Sequence, residues 1–599
     1  MTCRQRKVLT AVPSFSKDLP PTLSDLISAS DTLHAAMPPA APTYRFGFLR
    51  NITLEGIEPY LRYHMLRMGL RPDLIFGGYG SMRQDLMLPD SPLVKHCPDI
   101  LVTALMLEEL DPRYGFPGWN SAHSREELNS IFDALSASDA PTISLNTFIV
   151  PFHPETGALI AAPDAAGEVA RLNEFVRAFV REHSPRFCLM DWDRLAHRIG
   201  EAEAMDYRYW YISKAPFKRS FLDALARELM KVVLALKGHG KKCLVLDCDN
   251  TLWGGIVGED GIEGIHLDAH DYPGRAYYDF QKTVLQLAER GVLVTLCSKN
   301  NEQDVLDVLD KHPWSLLKRD HLSGFRINWE DKAANLAELA KELNIGLDAF
   351  VFVDDNPREL ELIRQVLPQV TILQVPDRLY EYPALLRRDG LFDRLITSQE
   401  DKLRTSLYQT EGKRKAELNQ HPDLESYLSS LGLTAAIHLA TDGEAMRVVQ
   451  LTQKTNQFNL TTRRYSDHDV AKFRASADAC VYTLSASDRF GSLGLVGVFI
   501  AARRQDAAVV DSLLMSCRAL GRRLEFAFVL ECMRRIVADW GILSWEAEYL
   551  STAKNSQAAD FWNTLGFALL EQTEGRRRYG LPASMPKMDL PGFIHIERE

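Results

Sequence analysis

The stretch that decides the fold of this chain is Cys243-Leu-Val-Leu-Asp247-Cys-Asp249-Asn-Thr251-Leu-Trp-Gly-Gly255. Its apolar start predicts a buried strand, after which two aspartates stand two residues apart. Open α/β sheets place their ligands at the carboxyl ends of the strands, so both carboxylates are expected at such an edge. One carboxylate can attack phosphorus, and the other can protonate the leaving oxygen and then activate water. A solvated Asp-x-Asp turn is the alternative interpretation of this stretch alone.

Three further stretches favour phosphate chemistry over that alternative. A second predicted strand ends in Thr-Leu-Cys-Ser298, and its final hydroxyl suits a phosphoryl oxygen. Lys332 can neutralise the transferring group, although a lone lysine on a helix is usually solvated. A third predicted strand, Phe-Val-Phe-Val-Asp354-Asp355, ends in two acids, which are the oxygen ligands that Mg²⁺ requires.

A strand with Asp-x-Asp-x-Thr, a strand ending in Ser, a Lys and a strand ending in Asp-Asp, in that order, resembles the haloacid dehalogenase (HAD) phosphotransferase superfamily. The resemblance implies that Asp247 is the nucleophile and Asp249 the general acid and base. It also implies two sets of ligands: phosphate is held by Thr251, Ser298 and Lys332, and Mg²⁺ by Asp247, the Asp249 carbonyl and Asp354, with Asp355 in support. The first two motifs leave no room for a large cap domain between them, so the site is expected to be open to a macromolecular or extended substrate.

Longer matches extend the resemblance beyond the superfamily. The stretches are LVLDCDNTLWGGIVGEDG, LCSKNN, WEDKAANLAELAKELNIGLDAFVFVDDNPRE and QLTQKTNQFNLTTRRYS. Together they resemble the FkbH-like family (HAD subfamily IIIC) over roughly residues 210–599. The resemblance implies an enzyme of polyketide extender-unit biosynthesis, which takes a glyceryl group from 1,3-bisphosphoglycerate, releases phosphate and loads an acyl carrier protein thiol through an enzyme cysteine. A stand-alone small-metabolite phosphatase and a weakly active carrier-protein-binding scaffold are the rival interpretations.

The identity of the acyl-carrying cysteine is a separate question. Cys248 lies between the two aspartates, but strand alternation points its side chain away from them, and two carboxylates would raise the pKa of its thiol. Cys297, just before Ser298, has the same difficulty. Cys517 follows a predicted strand, opens a predicted helix and neighbours Arg518, which are conditions that stabilise a thiolate. We therefore rank Cys517 first and Cys248 second, with a buried inert cysteine as the alternative.

The C-terminal region resembles the acetyltransferase (GNAT) fold. Arg518-x-x-Gly521-x-Arg523 is similar to its pyrophosphate loop, and Asn555 begins a stretch similar to its second motif. Backbone donors at the start of the following helix would bind the anionic end of a pantetheine group. Arg523 stands where that loop usually has a small residue, which argues against acetyl-CoA, whereas carrier-protein pantetheine, with one phosphate, can still fit.

Apolar runs and breakers divide the chain into five segments. Residues 1–43, which end in repeated prolines, are predicted to be a flexible segment. We then expect an N-terminal α/β domain similar to the SGNH hydrolase fold over 44–220, a HAD-like doubly wound α/β domain without a large cap over 221–395, a helical linker over 396–430 and a GNAT-like α+β domain over 431–599. Asn51 stands where a hydrolase would present its serine, so a non-catalytic docking or structural role is expected for the N-terminal domain.

The composition excludes several classes of protein. Of 599 residues, 46% are hydrophobic and 25% charged, as in folded globular domains rather than disordered or fibrous chains. The net charge of −11 argues against binding to nucleic acid by overall charge. No apolar run reaches the roughly 18–20 residues of a membrane helix and the start lacks a secretory signal, so a cytoplasmic protein without a membrane partner is expected. The nine cysteines form no CxxC pair, which favours reduced thiols over disulfides or structural zinc.

Overall fold

The computed structural model describes residues 19–597, apart from 158–162, 238–239, 388–389, 395–409, 411–413, 415–416, 418–420, 422 and 553. The chain forms two compact units, Met1–Leu236 and Lys237–Glu599. Within the described residues, no helix combines the length and the apolar composition needed to cross a bilayer. The protein is a multidomain α/β protein with two parallel sheets of the Rossmann type, as the sequence predicts.

The first unit is built on a parallel sheet of five strands in the order β2-β1-β3-β4-β5. The strands are β1 (Thr43–Arg50), β2 (Arg71–Tyr79), β3 (Ile100–Ala104), β4 (Ile143–Asn146) and β5 (Phe187–Met190). β3 and β4 are buried along their whole length, as in parallel sheets that are covered on both faces. The helices are α1 (Leu23–Ala35), α2 (Glu58–Arg67), α3 (Met82–Met87), α4 (Pro92–His96), α5 (Leu107–Leu110), α6 (Ala122–Ala137), α7 (Ala165–Glu182), α8 (Trp192–Ile199), α9 (Glu201–Ala204), α10 (Tyr207–Ser213) and α11 (Arg219–Leu236).

Helix α1 lies within the segment 1–43 that the sequence predicts to be flexible. Residues 1–18 of that segment lie outside the described residues. The hydroxyl of Thr22 accepts a hydrogen bond from the Asp25 backbone, and the Asp25 carboxylate accepts one from the Thr22 backbone. This capping box starts the helix, and Leu26 is buried on the face that packs against α2. The repeated prolines at positions 38, 39 and 42 follow this helix and do not interrupt it, so the prediction of a flexible segment is wrong for α1.

Helix α11 runs through the predicted domain boundary at 220/221 and belongs to the first unit. It packs against α2 and α8. Its buried Asp223 is hydrogen-bonded to His64 of α2 (Oδ1 to Nε2, 2.8 Å) and to Arg227. Burial raises the pKa of Asp223, but the hydrogen bonds from His64 and Arg227 outweigh this effect and hold the pKa below its usual value. These contacts explain why the first unit extends to Leu236.

The second unit begins with a parallel sheet, here called the central sheet, in the order β10-β9-β6-β7-β8. Its strands are β6 (Cys243–Leu246), β7 (Leu293–Ser298), β8 (Leu322–Ile327), β9 (Phe350–Asp354) and β10 (Thr371–Gln374). The chain passes from β6 to β7 and β8 on one side and then crosses to β9 and β10 on the other. The strand order therefore reverses between β6 and β9, which is where doubly wound sheets bind their ligands.

The helices around the central sheet are α12 (Val257–Gly264), α13 (Gly274–Glu289), α14 (Glu302–Lys311), α15 (Lys332–Glu342) and α16 (Pro357–Val366). Between β6 and α13 the chain forms only a short loop and α12. This interval is fully described and contains no separate cap domain. The carboxyl edge of the sheet is therefore not covered by an insertion at this point of the chain.

The described residues of the C-terminal part form a nine-stranded mixed sheet in the order β17-β18-β16-β15-β14-β13-β11-β19, with β12 beside β15. The strands are β11 (Leu433–Leu439), β12 (Phe458–Asn459), β13 (Ala479–Asp488), β14 (Gly491–Arg504), β15 (Ala507–Met515), β16 (Ser544–Leu550), β17 (Ala568–Thr573), β18 (Arg576–Leu581) and β19 (Ile594–Glu597). The helices are α17 (Leu424–Ser430), α18 (Asp442–Lys454), α19 (Asp467–Ala475), α20 (Leu524–Trp540) and α21 (Phe561–Thr564). Most of the helical linker predicted over 396–430 lies outside the described residues.

Two parallel strands of this sheet separate after a short contact. β15 and β16 pair over only three residues at their starts. Beyond that point β12 lies beside β15, with Phe458 opposite Met515. The Leu460 backbone N–H donates to the carbonyl of Leu513 (3.1 Å), and the Leu460 carbonyl accepts from the N–H of Leu550 in β16 (2.8 Å). The chain's own segment 458–460 thus bridges β15 and β16 where they diverge.

Candidate active site

Three neighbouring strands bring predicted site residues to the carboxyl edge of the central sheet. Asp247 follows β6, Ser298 ends β7 and Asp354 ends β9. β6 lies between the other two strands. The backbone N–H of Asp247 donates to the carbonyl of Val353 (3.0 Å), which continues the ladder of β6 with β9 to the site. The side chains therefore meet at the point where the strand order reverses.

Three carboxylates and one lysine converge there. One oxygen from each of Asp247, Asp354 and Asp355 lies within 4.8 Å of the others. Lys332 is the first residue of α15, which Asp331 caps, and its Nζ lies 3.2 Å from Asp247 Oδ1 and 2.6 Å from Asp354 Oδ2. Asp247, Asp354 and Lys332 are all buried. One ammonium group does not balance three carboxylates, so this cluster retains negative charge away from water.

The pKa shifts at the cluster reflect this crowding. Burial raises the pKa of Asp247 to about 6, although Lys332 lowers it. Burial also raises the pKa of Asp354 against the effect of Lys332, and raises that of Asp355, where Asp247 adds to the rise. Burial lowers the pKa of Lys332, but Asp247 and Asp354 outweigh it and raise the pKa above its usual value. A divalent cation that takes oxygen ligands fits this site, because it would offset the excess negative charge.

Asp249 is held in one orientation by three donors. Its Oδ1 accepts from Trp253 Nε1 (2.9 Å) and from the Val257 backbone (3.1 Å), and its Oδ2 accepts from Asn300 Nδ2 (2.8 Å). Asn300 is buried and also contacts Ser298 Oγ (3.4 Å). Asn300 was not predicted as a site residue, although it lies in the LCSKNN stretch, because its contact with Asp249 depends on β7 lying next to β6. Asn300 thus links the ends of these two strands.

The predicted phosphate ligands have different surroundings. Ser298 and Lys332 adjoin Asp247, and the Ser298 hydroxyl helps to stabilise its carboxylate. Thr251 is fully buried, and within the described part of the chain its hydroxyl makes no hydrogen bond. Its carbonyl accepts from the Tyr382 hydroxyl, and the Tyr382 ring stacks on Phe280 of α13 with 4.1 Å between centroids. Direct contact of Thr251 with a phosphate therefore stays a prediction.

Among the described cysteines, six thiols are buried, Cys97 is exposed and Cys517 lies between these extremes. Cys248 lies in the apolar core beside β6, and burial together with Asp247 raises its pKa well above the usual value. Burial likewise raises the pKa of Cys297 to about 12. Both environments argue against a thiolate, so Cys248 is a poor second choice. Cys517 is half-buried. It begins a single 3-10 turn, whereas α20 begins only at Leu524, so its predicted position at a helix start is wrong.

Cys517 lies at the opposite edge of the central sheet from Asp247. Its carbonyl accepts from Asn344 Nδ2 (3.3 Å), and Asn344 stands in the loop that precedes β9. Asp354 ends the same strand. Five residues of an extended strand span about 15 Å, so Cys517 and the carboxylate cluster do not share one reaction centre.

The three predicted pantetheine ligands also differ in their surroundings. Arg518 lines a cavity beside Cys517. Gly521 is an exposed loop residue with a left-handed backbone, φ +77°. Asn555 is fully buried, and its Nδ2 donates to the carbonyls of Asn459 in β12 and Leu550 in β16, both at 2.9 Å. The Asn555 amide holds the bridge between β15 and β16, so its assignment as a pantetheine ligand is wrong.

Comparison with known proteins supports the interpretation of the central sheet. Residues 242–371 match the family of NLI interacting factor-like phosphatases. Among solved structures, the N-terminal part of the protein BF1531 from Bacteroides fragilis, which contains a phosphatase domain complexed with Mg, is 23% identical with a TM-score of 0.56. That match covers 63% of this chain and 99% of the BF1531 chain. No curated protein matches the chain.

Acetyltransferases match smaller parts of the chain. The ribosomal-protein-S18-alanine N-acetyltransferase from Escherichia coli is 15% identical with a TM-score of 0.21, and the match covers 26% of this chain and 98% of that chain. The PaiA N-acetyltransferase from Thermoplasma acidophilum, solved with coenzyme A, is 13% identical with a TM-score of 0.20, over 25% and 98% of the two chains. The match over residues 242–371 supports the predicted phosphatase domain around Asp247, and the BF1531 structure shares its fold.

Proposed function

We propose that the second unit is a Mg²⁺-dependent HAD-type phosphatase that acts on a small phosphorylated three-carbon compound. The observation that carries this proposal is the buried convergence of Asp247, Asp354 and Lys332 at the carboxyl edge of the central sheet. A nucleophilic carboxylate beside a lysine and further carboxylates is what phosphoryl transfer through an aspartyl phosphate requires.

Asp247, Asp354 and Asp355 would hold Mg²⁺, because their oxygens already converge and their crowded charge calls for a divalent cation. The family resemblance adds the carbonyl of Asp249 to this set. The ion, when bound, offsets the negative charge of the phosphoryl group and of the attacking carboxylate. Lys332 supplies a further positive charge to the same oxygens.

The side chains of this chain would act in two displacements. In the first, an Asp247 oxygen bonds to phosphorus, the bond from phosphorus to the leaving oxygen breaks, and Asp249 gives that oxygen its proton. In the second, Asp249 takes a proton from water, whose oxygen bonds to phosphorus and releases Asp247 and inorganic phosphate. Asn300 keeps the Asp249 carboxylate oriented throughout.

The finer proposal is that 1,3-bisphosphoglycerate is the substrate and that its glyceryl group passes to an acyl carrier protein, as in FkbH-like enzymes of polyketide extender-unit biosynthesis. The four long sequence matches support it. In the transfer, the Cys517 thiolate would bond to the acyl carbon, and the acyl carbon–oxygen bond would break with loss of phosphate. The carrier thiol would then take the acyl group by thioester exchange, and Asp247 would cleave the remaining phosphate ester.

A stand-alone small-metabolite phosphatase is the second candidate. The separation of Cys517 from Asp247 by the length of β9 favours it, because phosphate release at Asp247 then needs no cysteine. A scaffold that only binds a carrier protein is disfavoured, since such a protein has no use for a buried cluster of three carboxylates and a lysine.

The deciding experiment gives the full chain 1,3-bisphosphoglycerate and Mg²⁺, with and without a carrier protein that bears its pantetheine arm. Phosphate release and the intact masses of both proteins are measured. We expect an acyl adduct that peptide mapping assigns to Cys517 and, with carrier protein, a glyceryl thioester on the carrier. Cys517→Ala should lose both products, and Cys248→Ala should keep them.

The other outcomes separate the candidates. Phosphate release without any thioester identifies the stand-alone phosphatase. An adduct that survives Cys517→Ala but is lost in Cys248→Ala reverses the ranking of the cysteines. No phosphate release in Mg²⁺, from this substrate or from a panel of small phosphate esters, refutes the phosphatase itself.

A further inference from the structure

We propose that Tyr382 is a positioning residue of the candidate active site: its hydroxyl fixes the loop that carries Asp249, so that this acid and base stands beside the leaving oxygen. The inference rests on the proposed phosphatase function. Tyr382 stands in the segment that follows β10, within a 3-10 turn over Leu379–Ala384. It lies beyond residues 242–371, so the match to the phosphatase family does not include it.

The loop that carries Asp249, residues 247–256, joins β6 to α12 and is called the catalytic loop below. Two of the three hydrogen bonds to the Asp249 carboxylate come from this stretch itself, from Trp253 and from the backbone of Val257 at the start of α12. These donors move with the loop, so they do not fix it against the rest of the site. The third donor, Asn300, follows β7. The position of the loop therefore depends on contacts from outside it.

Two side chains from outside the catalytic loop hold consecutive carbonyls of it. The Tyr382 hydroxyl donates to the carbonyl of Thr251. Gln281 Nε2 of α13 donates to the carbonyl of Leu252 (3.0 Å). Tyr382 and Gln281 are both fully buried, so the loss of either donor would leave a carbonyl without its partner away from water. These two bonds anchor the loop to the elements behind it.

Tyr382 is itself held firmly. Its ring stacks on Phe280 with an angle of 6° between the planes, and it meets Tyr277 edge to face with 5.7 Å between centroids. The carbonyl of the next residue, Pro383, accepts from the Thr283 hydroxyl of α13 (3.2 Å). A side chain that packing already orders loses little further entropy when it makes a hydrogen bond. The Tyr382 hydroxyl is therefore a fixed point to which the catalytic loop is attached.

The electrostatic surroundings of the Tyr382 hydroxyl keep it a donor. Burial raises the pKa of Tyr382 well above its usual value; Tyr277 adds to the rise and Thr251 opposes it. Asp355 and Asp247 raise the pKa further, which shows that the carboxylate cluster acts on this hydroxyl. The hydroxyl therefore stays protonated. A phenylalanine at this position keeps the stacked ring and removes only the donor.

The test uses the proton that Asp249 gives to the leaving oxygen. An alkyl phosphate such as 3-phosphoglycerate needs this proton, whereas p-nitrophenyl phosphate releases a weakly basic phenolate that leaves without it. The release of each leaving group is measured in a single turnover, with the full chain in excess and Mg²⁺ present. We expect Tyr382→Phe to slow the alkyl ester about tenfold and the nitrophenyl ester less than about twofold, because only the alkyl ester depends on the placement of Asp249.

Tyr549→Phe is the matched control. Tyr549 is buried in β16, and its hydroxyl donates to the carbonyl of Asn555 (3.2 Å), so this variant also removes a buried donor from a backbone carbonyl. Urea denaturation should show a similar loss of stability in both variants, but Tyr549→Phe should keep both release rates within about twofold of wild type. Gln281→Met removes the other anchor of the catalytic loop and should repeat the pattern of Tyr382→Phe, which gives a second, independent test.

The outcomes separate this inference from the proposed function. If wild type cleaves the esters but Tyr382→Phe slows both equally or neither, Tyr382 has only a structural role and the inference is overturned. A selective loss of the alkyl ester in Tyr549→Phe would overturn it as well, because the pattern would then follow from any lost buried donor. If wild type cleaves neither ester, the proposed function fails and the inference fails with it.

Discussion

The protein contains two five-stranded parallel sheets whose carboxyl edges end in different chemistry. In the first unit, Asn51 follows β1 and both atoms of its amide bond the Met106 backbone at 2.9 Å. Asn146 ends β4, and its amide accepts from the Leu105 N–H (3.1 Å) and donates to the Leu105 carbonyl (2.8 Å). In the second unit, Asp247 follows β6 and stands among carboxylates that a single lysine does not neutralise.

The difference shows that the scaffold alone does not predict an active site. Both sheets offer the same kind of edge, but the amides of the first unit are hydrogen-bonded through both the nitrogen and the oxygen to the backbone of the neighbouring loop. The carboxylates of the second unit keep negative charge, which remains available for binding a cation and for reaction with a phosphoryl group. We infer that the first unit has a structural or docking role and that the chemistry lies at the central sheet.

The largest expected effect is that of Asp247→Asn. An amide cannot form the aspartyl phosphate and is a weaker metal ligand, so phosphate release should fall about a thousandfold or more, ~4 kcal/mol of barrier. The measurement is phosphate release in Mg²⁺, with excess EDTA as the metal-free reference. Asp310→Asn on the surface is the matched control. Turnover of Asp247→Asn within about tenfold of wild type would exclude Asp247 as the nucleophile.

The next prediction tests the hydrogen-bonded amide of Asn51 at the carboxyl edge of the sheet in the first unit. Asn51→Ala leaves the buried N–H and carbonyl of Met106 without their partner and should cost about 2 kcal/mol of stability. Phosphate release should stay within about twofold of wild type. Hydrogen exchange of peptides that cover β1 and β3 measures the local stability, and Asn120→Ala on an exposed turn is the control. A large loss of phosphate release would mean that the first unit takes part in the chemistry.

A smaller effect is expected from the residue that orients Asp249. Asn300→Ala removes the donor to Asp249 Oδ2 and should lower kcat about tenfold, with KM changed less than about twofold. The adjacent Asn301→Ala is the matched control. The Asn301 side chain is exposed and donates a hydrogen bond to Asp304. Equal kcat values for the two variants would show that Asn300 does not position the acid and base.

The smallest expected effect is on the way in which the stability of the first unit depends on pH. Asp223 has a lowered pKa, so its contribution to stability is present above the unfolded pKa of about 3.9 and is lost as pH falls through the lower folded value. Asp223→Asn should therefore cost about 1 kcal/mol or more at neutral pH, and the difference from wild type should shrink as the pH falls below about 4. Urea denaturation from pH 3 to 7 checks this. A difference that grows towards acid pH would contradict the stabilising contacts of Asp223 with His64 and Arg227.

The sequence predicts the central sheet well because its signals are local. The apolar run before Asp247, the strand before Ser298 and the acids after β9 all stand at strand ends, and parallel strands must bring these ends together. Helix α1 was missed because its signal is one capping box beside a run of prolines. The roles of Asn300 and Asn555 could not be predicted, because each depends on which strand lies next to its own.

The prediction for Cys517 failed at one step for a similar reason. The residues after β15 look like the start of a helix, but the chain first makes a 3-10 turn, and α20 begins after Arg523, which has a left-handed backbone. Local sequence patterns place the ends of helices only to within a few residues, so the interval between Cys517 and the helix start at Leu524 could not be predicted. The cavity beside Cys517 could not be predicted either, because its lining residues come from six separate stretches of the chain.

The bridge made by Phe458 and Asn459 constrains the order in which the C-terminal sheet is completed. Asn555, which bonds the carbonyl of Asn459, stands 96 residues later in the chain. During synthesis the earlier segment leaves the ribosome first and has no strand on its second side until β16 has also been made. Closing so long a loop is slow, so this seam forms later than the hairpins β13–β14 and β14–β15. The apolar side chains of Phe458 and Leu460 stay uncovered until this seam forms. Chaperones and proteases would therefore bind the incomplete protein at this segment.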